Sequence, residues 1–212
     1  MPIMTRLRFL CLLVAFTVQT FAGPGAFAQG PEKQAPEKKD LKVGFVPGPY
    51  IDEFKVGVAP ELQKKGYQIR YVEFSTGLEA NNAVFKSEID ANVMQHTVFL
   101  NSYNERQNTD LVGIVHVPTP PMGIYSKKHA LDDVDFAAIQ GNFAIFSGLK
   151  LTNAFALEKM TMPYINVVAV KRGNAETAWA KDIAAAYKSP SFKAAILADR
   201  FYDGFSLPDY MK

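Results

Sequence analysis

From residue 41 onward the apolar residues switch repeatedly between a two-residue and a three-to-four-residue period, and that alternation constrains the fold more than any other feature. Residues 41–46 read as a strand closed by Pro47-Gly48-Pro49. Residues 52–65 read as a helix that Pro60 restarts at a first-turn position and Gly66 ends. Residues 67–74 alternate like a strand, with Ile69, Tyr71 and Glu73 on one face. A helix over 78–86, a short strand over 89–93, a helix over 96–106 and a strand over 111–117 follow. Strands alternating with helices of this length call for a parallel sheet covered on both faces, so the class is α/β.

After residue 117 the pattern breaks. Pro118-Thr119-Pro120-Pro121 cannot serve a central ladder and reads as a stiff crossover into a second lobe. Strands are predicted over 122–125, 135–139 and 164–170, with helices over 142–147, 175–187 and 191–198. Residues 89–95 and 134–140 echo each other: an Asp (Asp90, Asp135) opens a short buried strand, a Gln (Gln95, Gln140) ends it, and a helix begins just after. The echo reads either as two related lobes or as a chance likeness over few positions. If the lobes are related, two strand-to-helix corners face each other across a cleft, where helix N-termini offer backbone N–H groups to an anionic group.

The first residues point to secretion. Arg6 and Arg8 precede an uncharged apolar run over 9–16, and Ala26-Phe27-Ala28 supplies the small residues a signal peptidase reads. Residues 1–28 are therefore expected to be a Sec signal peptide cleaved after Ala28, with the mature protein in the periplasm and no direct membrane span. The single cysteine, Cys11, lies inside the apolar run and is followed by Leu12, Leu13 and Val14, so no lipid anchor is expected and the mature chain lacks thiols. Residues 29–40, rich in Pro, Glu and Lys, read as a disordered tether. The 23 basic and 21 acidic side chains nearly balance, which argues against nucleic acid or an anionic membrane as partner. There is no Gly-rich phosphate loop and no G-x-S-x-G elbow, so the chain is read as a non-enzyme with no cofactor. Three scattered histidines without thiolates make no metal-ligand cluster; His116 and His129 are taken as structural or surface residues.

The segment Asp90-Ala91-Asn92-Val93-Met94-Gln95-His96-Thr97-Val98-Phe99-Leu100 resembles the DANxFQHxPYL signature of the NLPA lipoprotein family, the methionine-binding components of ABC importers. Further matches are collinear with it: Lys42-Val43-Gly44 with Gly48-Pro49, Val72-Glu73-Phe74, Gly123 to Lys128 at the crossover, Ile139-Gln140-Gly141-Asn142-Phe143-Ala144 against an INxNYA corner, and Pro163 to Val168 with Arg172. The resemblance implies a periplasmic-binding-protein-like two-lobe α/β fold with parallel or mixed sheets. Residues 41–118 with the return segment 167–212 form lobe 1, and residues 119–166 a reduced lobe 2. It also implies a ligand amino acid between the lobes, with methionine the one expected, and an ABC transporter permease in the inner membrane as partner. Met94, His96 and Phe99 line the cleft from the first lobe; Gln140, Asn142 and Asn166 contribute polar contacts from the second lobe and the return strand.

The residues themselves suit that role. His96 and Phe99 are three apart and share a helix face. An aromatic ring and a thioether hold an apolar side chain, while amides and an imidazole bind ammonium and carboxylate ends. Core packing is the competing reading for Met94 and Phe99, and a structural hydrogen bond for His96.

The departures from the family pattern weigh on the activity. Gly77 stands where an aromatic is common, Phe99 replaces a Tyr, Met94 a Phe, and Gln140 the first amide of its corner. Roughly 60 residues, about two strand–helix units, are absent between the crossover and residue 131. The family's arginine for the ligand carboxylate lies in that stretch. The alternative reading is therefore a truncated, degenerate paralogue with weak or no ligand binding, acting as a scaffold or interaction protein.

Overall fold

The computed structural model describes residues 37–126 and 134–212; the expected signal peptide, most of the tether, Cys11 and His129 lie outside them. Asp40, assigned to the tether by its polarity, is instead the first residue of β1 (Asp40–Phe45). Just before it, Lys38 pairs with Asp90 and the Lys39 carbonyl accepts the Gln68 N–H at 2.8 Å.

The larger sheet has five strands in the order β2 (Gln68–Glu73), β1, β3 (Ala91–His96), β8 (Asn166–Lys171), β4 (Leu111–His116). β1 is parallel to β2 and β3, as the strand–helix alternation requires, but β8 runs antiparallel to both β3 and β4. The sheet is thus mixed, within the parallel or mixed arrangement that the family resemblance implies, although strand–helix alternation alone points to a parallel one. The reason is the path of the chain: it leaves β4 at residue 117 and re-enters beside it at Asn166, whose carbonyl accepts the Val117 N–H at 2.8 Å. A strand that begins where its neighbour ended must run the other way. β8 is buried on both faces, which explains its unbroken run Val167-Val168-Ala169-Val170.

Helices cover both faces. On one side α1 (Tyr50–Glu53), the turn that follows it, α2 (Ala59–Lys64), α6 (Ala178–Tyr187) and α7 (Pro190–Ala198) pack Phe54, Leu62, Ile183, Tyr187 and Phe192 onto Val43, Phe45, Val168 and Val170. On the other, α3 (Gly77–Phe85) and α4 (Thr97–Gln107) pack Val84, Leu100 and Tyr103 onto Ile89, Leu111, Val167 and Ala169. The expected single helix over 52–65 is interrupted by a wider π turn, Phe54–Val58, before α2. Pro60, in the first turn of α2, has no N–H to return to the preceding turn, and the wider turn absorbs that missing bond.

The second sheet is small and antiparallel, with β5 (Gly123–Ser126) between β6 (Phe136–Ile139) and the two-residue β7 (Ala156–Leu157). The sequence missed β7, which is too short to show a period. β6 is also not the buried strand that the internal echo suggested: its residues alternate between exposed and half-buried, and Phe136 is 64% exposed. Phe155, 73% exposed, meets Phe136 edge-on at 6.4 Å, and Phe146 of α5 (Gly141–Phe146) is exposed as well. All described residues belong to one compact unit, Pro36–Lys212.

Candidate ligand-binding cavity

The residues quoted from the first signature divide into a structural set and a set that faces open space. Asp90 accepts the Lys42 backbone N–H at 2.9 Å and pairs with Lys38, locking the start of β3 against β1. Asn92 and Gln95 both reach Asn81 of α3. Asn92 Nδ2 donates to Asn81 Oδ1 at 2.9 Å, Gln95 Nε2 to the same oxygen at 2.6 Å, and Asn81 Nδ2 to Gln95 Oε1 at 2.7 Å. All three amides are buried. Residues three apart on a regular strand face opposite ways; these two share a side because β3 carries a bulge between Val93 and Gln95. Met94 is the extra residue of that bulge.

His96 ends β3 and caps α4, its Nδ1 accepting the Phe99 N–H at 3.1 Å. With Nδ1 occupied as an acceptor, a neutral imidazole carries its proton on Nε2. Burial pushes the imidazole's pKa down, and Glu158 partly opposes that shift. The ring is flanked by Tyr164 at 5.2 Å and Phe99 at 6.5 Å, both edge-on. Tyr164, expected as the first residue of a strand, sits instead in a 3-10 turn (Met162–Tyr164) ahead of β8, which frees its ring to reach His96.

The return strand supplies Asn166. Its backbone N–H donates to the Thr119 hydroxyl at 2.9 Å and its Nδ2 to the Tyr50 hydroxyl at 2.6 Å, while Thr119 donates to the Val117 carbonyl at 2.8 Å. From the second sheet, Gln140 precedes α5. Gly141 is pressed against the carbonyls of Pro120 and Pro121, where any Cβ would collide with backbone. Asn142 lies over the β1–α1 loop, with Nδ2 3.4 Å from the Pro47 carbonyl. A Cβ on Gly48, which has φ +139°, would stand 2.9 Å from Asn142 Cβ, so glycine permits both the backbone conformation and the close approach.

Met94, His96, Phe99, Gln140, Asn142 and Asn166 all line one cavity of about 500 Å3 between the two sheets. Phe99 is 42% exposed, so neither it nor the half-buried Met94 is a core residue. His96 is both things the sequence offered, a hydrogen-bonded structural histidine and a cavity residue. Gly77 explains the room for Met94: a Cβ there would stand 2.9 Å from the Met94 sulfur. Sequence reasoning missed Tyr50, Thr119, Met122, Phe143, Glu158, Met160 and Tyr164, which also line the cavity. Thr119 was visible as the one hydroxyl among the crossover prolines; Glu158 and Met160 lie in a segment with no periodic signal. Among the described residues no cluster of His, Cys, Asp or Glu could hold a metal ion, and no helix is long and apolar enough to cross a membrane.

A mixed α/β architecture with a cavity between two sheets is the periplasmic-binding-protein-like fold, with one lobe reduced. The chain belongs to the NlpA lipoprotein family, whose model matches residues 41–130 and 128–210. It is 34% identical to Lipoprotein 28 of Escherichia coli K12 over 104 residues, 49% of this chain and 38% of that protein; the chain thus spans about two fifths of the length of the curated relatives that head the comparison. A D-methionine-binding lipoprotein MetQ, so described as probable, from Pasteurella multocida is 21% identical over 255 residues, covering 88% of this chain and 92% of the relative. An alignment longer than this whole chain leaves a long stretch of the relative with no counterpart here. The two family matches meet at residues 128–130, where the sequence reading puts the missing segment. Among solved structures, a nutrient-binding protein from Burkholderia cenocepacia bound to methionine superposes with a TM-score of 0.70 at 23% identity, covering 79% of this chain and 99% of that one. The expectation of no lipid anchor is corrected by this family, whose members are lipoproteins.

Proposed function

We propose that this chain is an extracytoplasmic solute-binding protein that captures a methionine-like amino acid for an ABC importer. The observation that carries this reading is the convergence of six separately positioned side chains, from β3, α4, the β6–α5 corner and β8, on one cavity of about 500 Å3, a size that suits a small ligand. Met94, Met122, Met160 and Phe99 supply soft apolar contacts for a thioether tail, and Gln140, Asn142, Asn166 and His96 supply polar ones. Residues 41–118 with 167–212 act as lobe 1 and residues 119–166 as lobe 2; closure about residues 117–122 traps the ligand with no bond chemistry. A membrane permease then receives it in the periplasm.

The experiment is thermal unfolding of the purified protein with and without excess L- and D-methionine and a panel of other amino acids. A ligand at a hundredfold its Kd adds about 2.7 kcal/mol of stability, which is visible as a shift. A selective shift by methionine supports the reading, and a cooperative transition that no ligand moves sinks it.

A second reading, a scaffold that has lost tight binding, is favoured by the aromatic surface of the small sheet, where Phe136, Phe146 and Phe155 are exposed. Concentration-dependent self-association without any ligand shift is the outcome it requires.

A further inference from the structure

We infer that, among methionine-like solutes, the cavity prefers one with a free ammonium group and a carboxyl masked as an amide or ester, with Glu158 as the residue that sets this preference. The inference rests on the solute-binding reading and adds the charge of the solute.

Among the described lining residues Glu158 is the one acidic side chain, and there is no lysine or arginine. Its position is defined by the sheet, because its backbone N–H donates to the Met122 carbonyl at 2.8 Å and extends the β5–β7 ladder. His96, which lines the same cavity from the end of β3, accepts a backbone N–H at Nδ1 and so presents a neutral ring. A zwitterion entering this space finds a partner for its positive end and a like charge for its negative end.

The uncharged groups lean the same way. Pro47 and Pro120 line the cavity, and proline backbone offers a carbonyl without an N–H. Asn166 spends an amide hydrogen on Tyr50 and Asn142 one on the Pro47 carbonyl, while each keeps a side-chain oxygen as acceptor. The Thr119 hydroxyl is already engaged as donor and acceptor. The donors left among the described lining side chains, His96 Nε2–H, the Gln140 amide, the Ser75, Thr76 and Tyr164 hydroxyls and the second amide hydrogens of Asn142 and Asn166, are all neutral; they suit the carbonyl of an amide or ester better than a carboxylate that has left water. Tyr164, Phe99 and Phe143 add ring faces and edges around the same space, and a desolvated ammonium is stabilised over such faces.

Matched probes test this by calorimetric titration of the purified protein: L-methionine, L-methioninamide, and the deaminated acid of methionine. The expected order is amide tightest, methionine weaker by about tenfold or more, and the acid weakest. Glu158→Gln, an isosteric change at an exposed position, should collapse the difference between amide and methionine. Methionine binding as tightly as its amide to the unmodified protein overturns the charge preference and leaves the solute-binding reading intact. Binding of none of the three overturns both. An amide preference that persists undiminished in the Glu158→Gln protein removes Glu158 from its role.

Discussion

The Nδ1 atom of His96 accepts the backbone N–H of Phe99 at 3.1 Å, so a single imidazole caps α4 and lines the cavity. The signature histidine has two duties, and they can be separated. His96→Ala removes the cap and should cost about 1 kcal/mol of unfolding free energy, within the range for lost N-caps, as well as ligand affinity. His96→Asn restores a capping oxygen without the Nε2–H donor, so stability should recover in denaturant titrations while affinity does not.

The same residue sets a pH dependence. Burial lowers the His96 pKa in the folded state relative to its ordinary value of 6.5. The unfolded chain therefore binds this proton more readily. The contribution of His96 is fully present above pH 6.5 and is lost as pH falls through the lowered folded value. Unfolding free energies of the unmodified protein and His96→Asn, measured from pH 8 to pH 5, should diverge at the acid end, with the variant falling less.

Asn81 joins α3 to the two signature amides. Asn81→Leu leaves Asn92 and Gln95 buried with donors and acceptors unmet, and should destabilise by about 2–3 kcal/mol. Because the same amides hold the β3 bulge that aims Met94, methionine affinity should fall with stability. Unchanged affinity in a folded Asn81→Leu protein would disconnect the network from the cavity.

Gly77 and Met94 share one volume. Gly77→Phe should drive the Met94 thioether from its place and lower stability by roughly 1–3 kcal/mol, the usual cost of overpacking. Adding Met94→Ala should recover most of that loss, and a double-mutant cycle on thermal unfolding reads the coupling directly.

Glu53, the last residue of α1, lies in the core with neither carboxylate oxygen hydrogen-bonded to a described residue, and burial raises its pKa well above the ordinary 4.5. Here the folded state binds the proton more tightly, so the contribution of Glu53 is fully present below pH 4.5 and declines as pH rises toward the folded value. In that window the slope is about 1.4 kcal/mol per pH unit for one group. Glu53→Gln should match the unmodified protein near pH 4.5 and exceed it by a growing margin toward neutrality. Parallel pH–stability curves for the two proteins would remove Glu53 as the cause.

The α/β class and most of the order of elements were legible in the sequence because strand and helix periods and the Pro-rich crossover are local signals, and the six candidate residues were reached through the family resemblance. What followed from long-range contacts was not. The direction of β8 depends on where the chain re-enters the sheet. The bulge at Met94 depends on pairing with β8. Thr119 and Tyr50 join the cavity through bonds to Asn166 across 47 and 116 residues of chain. Glu158 sits in a segment without periodicity, and only the β5–β7 ladder brings it to the cavity that His96 lines. Sequence periodicity reports which side of an element is apolar, but the partner across a cavity is chosen when elements pack. In this protein tertiary packing therefore decided the sheet's mixed direction and the charge of its site.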